Sequence, residues 1–212
     1  MSTPHNPFEF YETPQAFSRY LFATVPITGR LFEPCVGTGA IVRAHGDPSV
    51  WRTNDLDPRH AANTHLDAGD PACWAAAGPI DWTVSNTHFS GWLDVVRLGL
   101  EYSRVGVALH LRASVHEVCK TGERRTFMRR YQPTGNLWLP RFGYQRSPST
   151  GKWSTDNVCA CWVIWHKDPA VPVYVDYAPE WVLDELDAET AAYRARIDAV
   201  MSARAAVAPA VV

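Results

Sequence analysis

Four short stretches of this 212-residue chain carry side chains that could hold a ligand or act on one. Residues 31–42, Leu-Phe-Glu-Pro-Cys-Val-Gly-Thr-Gly-Ala-Ile-Val, set Gly37 and Gly39 between an apolar run and a helix-forming run. Glycines there let the backbone turn sharply and approach a ligand closely. The spacing lacks the third glycine of the dinucleotide fingerprint, so alone the loop reads equally well as a tight turn. Asp55, 22 residues after Glu33, closes a second apolar run in Thr-Asn-Asp-Leu-Asp-Pro. In doubly wound folds an acid at that strand end accepts hydrogen bonds from ribose hydroxyls; the competing reading is a turn or helix cap before Pro58. Asp67, in His-Leu-Asp-Ala-Gly-Asp, could accept a hydrogen bond from an adenine amino group with Leu66 against the ring, or be an ordinary loop acid. The fourth stretch, Ser85-Asn-Thr-His-Phe89, follows the apolar run Ile80–Val84. Asn86 offers a side-chain carbonyl, Thr87 a backbone carbonyl and Phe89 a ring that can stack on a planar substrate.

These residues need a frame, and the apolar pattern supplies one. Phe17, Leu21 and Phe22 recur at helical spacing after Pro14, and Pro26 and Gly29 end that helix. Short strands are predicted at 31–33, 50–54, 80–84 and 105–111, with helices from Ala40 and from Leu93 to Tyr102 between them. Strands alternating with helices argue for a parallel α/β sheet. Residues 113–131 read as helix plus loop. Residues 137–144 and 159–166 read as neighbouring antiparallel strands joined by a polar loop. Val182, Leu186, Tyr193, Ile197, Val200 and Met201 mark an amphipathic C-terminal helix, with a frayed Ala/Val/Pro tail. The organisation expected is an N-terminal arm over 1–13, a main domain over 14–168, and a helix and tail over 169–212 packed on or near it.

Composition narrows the class. Five cysteines, none in a Cys-x-x-Cys pair, and no histidine pair at ligand spacing near Cys159 and Cys161, argue for reduced thiols and no metal site. No run approaches the roughly 20 apolar residues of a membrane span, and the polar N-terminus lacks a signal-peptide core. A soluble, cytoplasmic protein is expected. The net charge of −2 hides an asymmetry: residues 104–153 hold ten Lys/Arg against two acids, +8, which leaves −10 elsewhere. Arg112, Arg124, Arg125, Arg129, Arg130, Arg146 and Lys152, interleaved with Trp153 and other aromatics, suit a nucleic-acid surface, where cations meet phosphates and rings stack on bases. The alternative is a solvated helix face.

In this order and spacing the motifs resemble those of the class I S-adenosylmethionine-dependent methyltransferases, and within them the small phage and prophage enzymes that methylate the amino group of adenine in DNA. Phe10-Tyr-Glu-Thr-Pro14 resembles the branch's N-terminal cofactor motif, Phe32 to Ile41 its glycine loop, Asn54-Asp-Leu-Asp-Pro58 its ribose motif, Leu66-Asp-Ala68 its adenine contact, and Asn86-Thr-His-Phe89 its catalytic Asn-Pro-Pro-Phe. The resemblance covers about residues 10–168 and implies a Rossmann-like, mostly parallel sheet with an antiparallel C-terminal hairpin and helices on both faces. It implies S-adenosylmethionine as cofactor, with Tyr11 and Thr13 bordering its methionine part, Glu33, Gly37 and Gly39 shaping the loop beneath it, Asp55 on the ribose and Asp67 on the adenine. It implies DNA as partner, and Asn86, Thr87, His88 and Phe89 as the catalytic set.

The departure lies at Thr87 and His88, where the branch carries two prolines. The acceptors and the stacking ring survive the exchange, but rigidity does not, because proline fixes its own φ and restrains the residue before it. Packing or a hydrogen bond would have to hold the turn instead. Three outcomes stay open: a working enzyme with an altered turn, a different amino substrate (an RNA base or a protein glutamine), or a module that binds cofactor and a nucleic acid or protein partner without turnover.

Overall fold

The computed structural model describes residues 12–88, 90–117, 122–141, 145, 146, 153, 154 and 159–207. The chain runs α1 (Gln15–Thr24), β1 (Leu31–Glu33), α2 (Ala40–His45), β2 (Trp51–Thr53), α3 (Pro71–Ala77), β3 (Ile80–Ser85), α4 (Trp92–Tyr102) and β4 (Ser103–Arg112). It continues through α5 (Glu123–Arg130), β5 (Gly135–Leu139), β6 (Gln145–Arg146), β7 (Trp153–Ser154), β8 (Ala160–His166), β9 (Tyr174–Tyr177) and α6 (Glu180–Val207).

Apolar residues on both faces make the central strands interior ones. Every residue of β1 is buried, as are five of the six in β3, the pattern of parallel strands covered on both sides. The sheet has seven strands in the order β2-β1-β3-β4-β8-β5-β9. β2, β1, β3 and β4 are mutually parallel. β8 runs antiparallel to both β4 and β5, and β9 is parallel to β5. The chain leaves β1 outward to β2 and returns past it to β3, so the order reverses between β1 and β3. Ligands of open α/β sheets bind in the crevice that such a reversal opens at the carboxyl ends of the strands.

Period-two alternation sends successive side chains to opposite layers. Leu31, Trp82, Val84, Trp162 and Ile164 pack with α1, with Ile41 of α2 and with Val182 and Leu186 of α6. Phe32, Val107, Leu109, Cys161, Val163 and Trp165 pack with Trp74 of α3, Val95 and Val96 of α4 and Phe127 of α5. Helices therefore cover both faces. Each large apolar side chain fully removed from water contributes about 1.5–3 kcal/mol. Six of the nine tryptophans belong to this core. The indole N–H groups of Trp162, Trp74 and Trp165 donate to the carbonyls of Phe17, Ala68 and Tyr131 at 2.8, 2.9 and 3.1 Å, which offsets their burial.

The sequence pattern contains no cue for three features. α3 is short and alanine-rich, begun by Asp70, which accepts from the Ala72 N–H at 2.8 Å, with Pro71 at its first position. β9 is a four-residue edge strand that adds a seventh strand to the sheet. The polar segment between β5 and β8 includes the two-residue ribbon β6–β7. Among the described residues no helix is long and apolar enough to cross a membrane.

Candidate active site

The glycine loop is built by hydrogen bonds between strand ends. The Val36 N–H donates to the Asn54 carbonyl at 2.9 Å, and the Gly39 N–H to Val36 at 2.8 Å. Gly37 and Gly39 take φ of +52° and +79°, and Gly39 is the N-cap of α2. L side chains rarely adopt that region, which is why this turn needs glycine. Asn54, fully buried at the end of β2, holds the loop to the segment that follows. Its Nδ2 donates to the carbonyls of Pro34 and Leu66, both at 2.9 Å, and its Oδ1 accepts from Thr64 Oγ1 at 2.8 Å and from the Leu66 N–H at 2.9 Å. All four hydrogen bonds open to an amide side chain are made. Motif reading included Asn54 but gave it no role, because buried polar bonding of this kind leaves no mark on sequence.

Asp55 lies next to it. Its Oδ2 accepts from the Gly37 N–H at 2.7 Å and its Oδ1 from the Asp57 N–H at 2.9 Å, with His60 Nδ1 3.3 Å from Oδ1. The carboxylate thus closes the glycine loop, and its roughly four lone-pair sites leave capacity for a ligand hydroxyl. Glu33, at the end of β1, is buried, and its Oε2 finds no hydrogen-bond partner among the described residues. Burial, and then the charge of Asp55, hold its carboxyl well above the usual range. Burial first, then Asp55 and Glu33, push the Cys35 thiol up to about 12, so it is no thiolate nucleophile.

The arm before α1 closes the other side. Glu12 accepts from Thr38 Oγ1 at 2.8 Å and from Arg196 of α6 at 3.0 Å, and stands 3.6 Å from Arg43 of α2. Burial raises its pKa, and the bonds from Thr38 and Arg196, with the Arg43 charge, more than offset that. Thr13 Oγ1, buried, accepts from Asn86 Nδ2 at 3.0 Å.

Asn86 leaves the end of β3 beside β1, so it faces the glycine loop across the switch point. Thr87 is only 2% exposed, and its hydroxyl reaches both the His88 carbonyl at 3.3 Å and the Cys35 thiol. Packing and hydrogen bonding thus hold the turn that prolines would otherwise stiffen. His88 is exposed, its carbonyl accepts from the Gly91 N–H at 3.2 Å, and its ring lies on Gly91 so closely that a Cβ there would stand 2.3 Å from Nε2.

Thr13, Glu33, Gly37, Asp55, Asp67, Asn86 and His88 all line one cavity of about 510 Å³. Gly39 and Thr87 are not among its lining residues; Glu12 and Asp57, which stand inside two of the motifs without an assigned role, and His60, which belongs to none, join the lining. A second cavity of about 500 Å³ adjoins it, sharing Asp67 and His88 and adding Asp70, Gly91 and Asp94. Tyr11, Phe89 and Lys152 lie outside the described residues.

Arg112 and the arginines of α5 sit elsewhere. Arg112 ends β4 at the carboxyl edge of the sheet, half-buried. α5 docks through Phe127, whose ring lies 6.3 Å from those of Trp92 and Trp165. At 3.6 residues per turn this puts Arg125 and Arg129 on the opposite, outward face and Arg124 and Arg130 on the flanks. Arg130 lies 5.3 Å from the centre of the Tyr131 ring. Arg146 and Trp153 are register partners across β6–β7. Neither Arg112 nor the arginines of α5 are among the residues that line the cavity.

No protein-family model matches the chain, and no curated protein matches it in sequence. Solved structures do match its fold. A protein of Listeria monocytogenes assigned to the class I S-adenosylmethionine-dependent methyltransferases superposes with a TM-score of 0.54 at 13% identity, over 84% of this chain and 70% of that one. A type I restriction-modification methyltransferase subunit of Streptococcus thermophilus gives 0.53 at 12% identity, over 88% of this chain and 53% of that one. A modification subunit assigned to a type I restriction enzyme of Vibrio vulnificus gives 0.54 at 12% identity, over 81% of this chain and 48% of that one. The chain spans about half the length of these two subunits. The fold is that of the class I methyltransferases.

Proposed function

We propose that this chain transfers a methyl group from S-adenosylmethionine to an exocyclic amino group, with adenine in DNA as the first substrate to test. The observation that carries the proposal is the shared cavity: the glycine loop, Asp55 and Asp67 open onto the same space as Asn86, at the reversal of strand order. Its volume lies within the range of small-molecule sites.

The residues present fit the cofactor. Glu33 Oε2, buried without a partner among the described residues, suits a donor group of a ligand, and the positive-φ turn at Gly37 lets main chain approach it. Asp55 would accept from the ribose hydroxyls, Asp67 from the adenine amino group, and Tyr11 and Thr13 would border the methionine end. The bound cofactor supplies an electrophilic methyl on a sulfonium. An aromatic amine is a poor nucleophile because its lone pair is delocalised into the ring. Asn86 and the Thr87 carbonyl would accept its two hydrogens and so turn the lone pair toward the methyl, a contribution of positioning and preorganised dipoles. Phe89 would stack on the base, which must leave the helix to reach such a site. The outward arginines of α5 and Arg112 would meet phosphates.

The testing experiment is transfer of isotopic label from S-adenosylmethionine onto unmodified DNA, with RNA in parallel, followed by digestion to nucleosides. Label in N6-methyladenosine of DNA is the expected result. Label in RNA alone would move the substrate. No label on either polymer, with cofactor binding confirmed, would favour a protein or small-molecule substrate, or a module that binds without turnover. That last reading draws on the exposed His88 at the cavity wall in place of a proline.

A further inference from the structure

We infer that Thr13 is a positioning residue for Asn86: its hydroxyl selects which edge of the Asn86 carboxamide faces the substrate. The inference rests on the amino-methylation reading. A carboxamide has two chemically opposite edges, an accepting oxygen and a donating NH2. The torsion that exchanges them is broad and roughly two-fold, so an unrestrained asparagine samples both. An amino substrate, itself a donor, meets a useful acceptor in one orientation and a repelling donor in the other.

Thr13 breaks that symmetry. Its Oγ1 accepts from Asn86 Nδ2 at 3.0 Å, which directs Oδ1 to the opposite edge of the amide. The bond joins residues 73 apart in sequence, so it forms only if the arm is held in place, and it is held from both sides. On one side Glu12 is bound by Thr38, Arg43 and Arg196. On the other, Pro14 leads directly into α1, whose first two N–H groups donate to the Glu189 carboxylate of α6 at 2.7 and 2.8 Å. Arg19 of the same helix pairs with Glu185 at 2.7 Å and Glu189 at 2.8 Å. Both ends of the short Glu12–Pro14 segment are thus tied to α6, and the Thr13 hydroxyl between them is held where it accepts from Asn86 Nδ2.

The test compares Thr13→Val, which keeps the branched shape and removes the hydroxyl, with Thr13→Ser, which keeps the hydroxyl. Label transfer to DNA is measured at saturating cofactor and DNA, and cofactor Kd by calorimetry on the same preparations. Loss of one neutral hydrogen bond that biases the amide should lower kcat by about 3–10-fold in Thr13→Val, with KM for DNA little changed, and Thr13→Ser should restore it. In parallel, the side-chain amide signal of Asn86, identified by its loss in Asn86→Ala, should move in the 15N spectrum of Thr13→Val and return in Thr13→Ser. Unchanged kcat in Thr13→Val overturns the inference. So does an equal loss in both variants, because the hydroxyl would then not be what matters. If the wild-type chain transfers no label to DNA or RNA, the amino-methylation reading fails on its own; the amide signal then decides the positioning role, and an unmoved signal overturns it.

Discussion

Two buried titratable groups oppose each other in their effect on stability, and acid should separate them. His110 of β4 is buried between Phe17, at a ring distance of 6.0 Å, and Trp162, at 5.4 Å. Neither of its ring nitrogens finds a hydrogen-bond partner among the described residues. Burial pulls its pKa from 6.5 down to about 4. In the unfolded chain the imidazole takes a proton below about 6.5. Between the two values the unfolded state binds more protons, so the stability associated with a neutral His110 is complete above 6.5 and is lost as pH falls toward 4. Linkage makes that loss about 2 kcal/mol between pH 7 and pH 5, and about 3 kcal/mol over the whole interval. Glu33 has the opposite sign. Its raised pKa keeps a proton on the folded protein that the unfolded chain gives up above about 4.5, so its share of stability is present in acid and is lost as pH rises. The wild-type profile between pH 5 and 7 should therefore be flatter than His110 alone would make it. His110→Leu, close in volume, removes one of the two effects. Urea unfolding of both proteins at pH 7 and pH 5 should show the variant gaining about 2 kcal/mol on the wild type as pH falls. A stability difference equal at the two pH values would refute a buried, neutral His110. The consequence reaches the site, because Phe17 belongs to α1, and α1 follows directly on the arm that carries Thr13.

Asn86→Ala should abolish label transfer while leaving cofactor affinity by calorimetry nearly intact; equal activity would remove Asn86 from its role. Asp55→Ala should weaken cofactor binding by about 1–3 kcal/mol because a charge-assisted hydrogen bond disappears, and an unchanged Kd would mean that the ribose lies elsewhere. Replacing Arg125 and Arg129 together should reduce the slope of log affinity for DNA against log salt by about 0.9 for each phosphate that is no longer neutralised, and an unchanged slope would leave α5 a solvated face. Gly91→Ala sets a methyl 2.3 Å from His88 Nε2, so the ring should swing away and its NMR signals shift, with little change in melting temperature because the ring is exposed.

The strands that frame the cavity were legible because burial on both faces demands continuous apolar runs, as in Leu31-Phe32 and Ile80 to Val84. The antiparallel pairing of β5 with β8 was legible from two aromatic-rich runs flanking a polar loop. β9 was not: all four of its residues keep solvent contact at the sheet edge, so no buried face imposes a pattern on them. α6 was legible as a helix, but not its attachments. The contact of Glu189 with the start of α1 spans 174 residues and depends on tertiary placement alone. The same holds within the site. Gly37, Gly39 and Asp55 announce themselves by type and spacing. Asn54 and Glu12 do as much to hold the loop, through hydrogen bonds to partners that only the fold brings within reach.

The pair Thr87-His88 shows how a turn can lose two prolines and remain defined. Proline stiffens a turn from within, by fixing φ. Thr87 is held from outside: a β-branched side chain with one stiff χ1, almost wholly buried, whose hydroxyl reaches the next carbonyl and the thiol of the glycine loop. The neighbouring Asn86 is tied to the arm, and the His88 carbonyl to Gly91. Three consecutive residues thus have three separate anchors, on the glycine loop, on the arm and at the start of α4. Such a turn keeps its shape only while those elements stay in register. Its order is therefore coupled to the docking of α1 and α6 in a way that a proline turn is not, and this makes the arm, rather than the turn itself, the element on which the geometry at Asn86 depends.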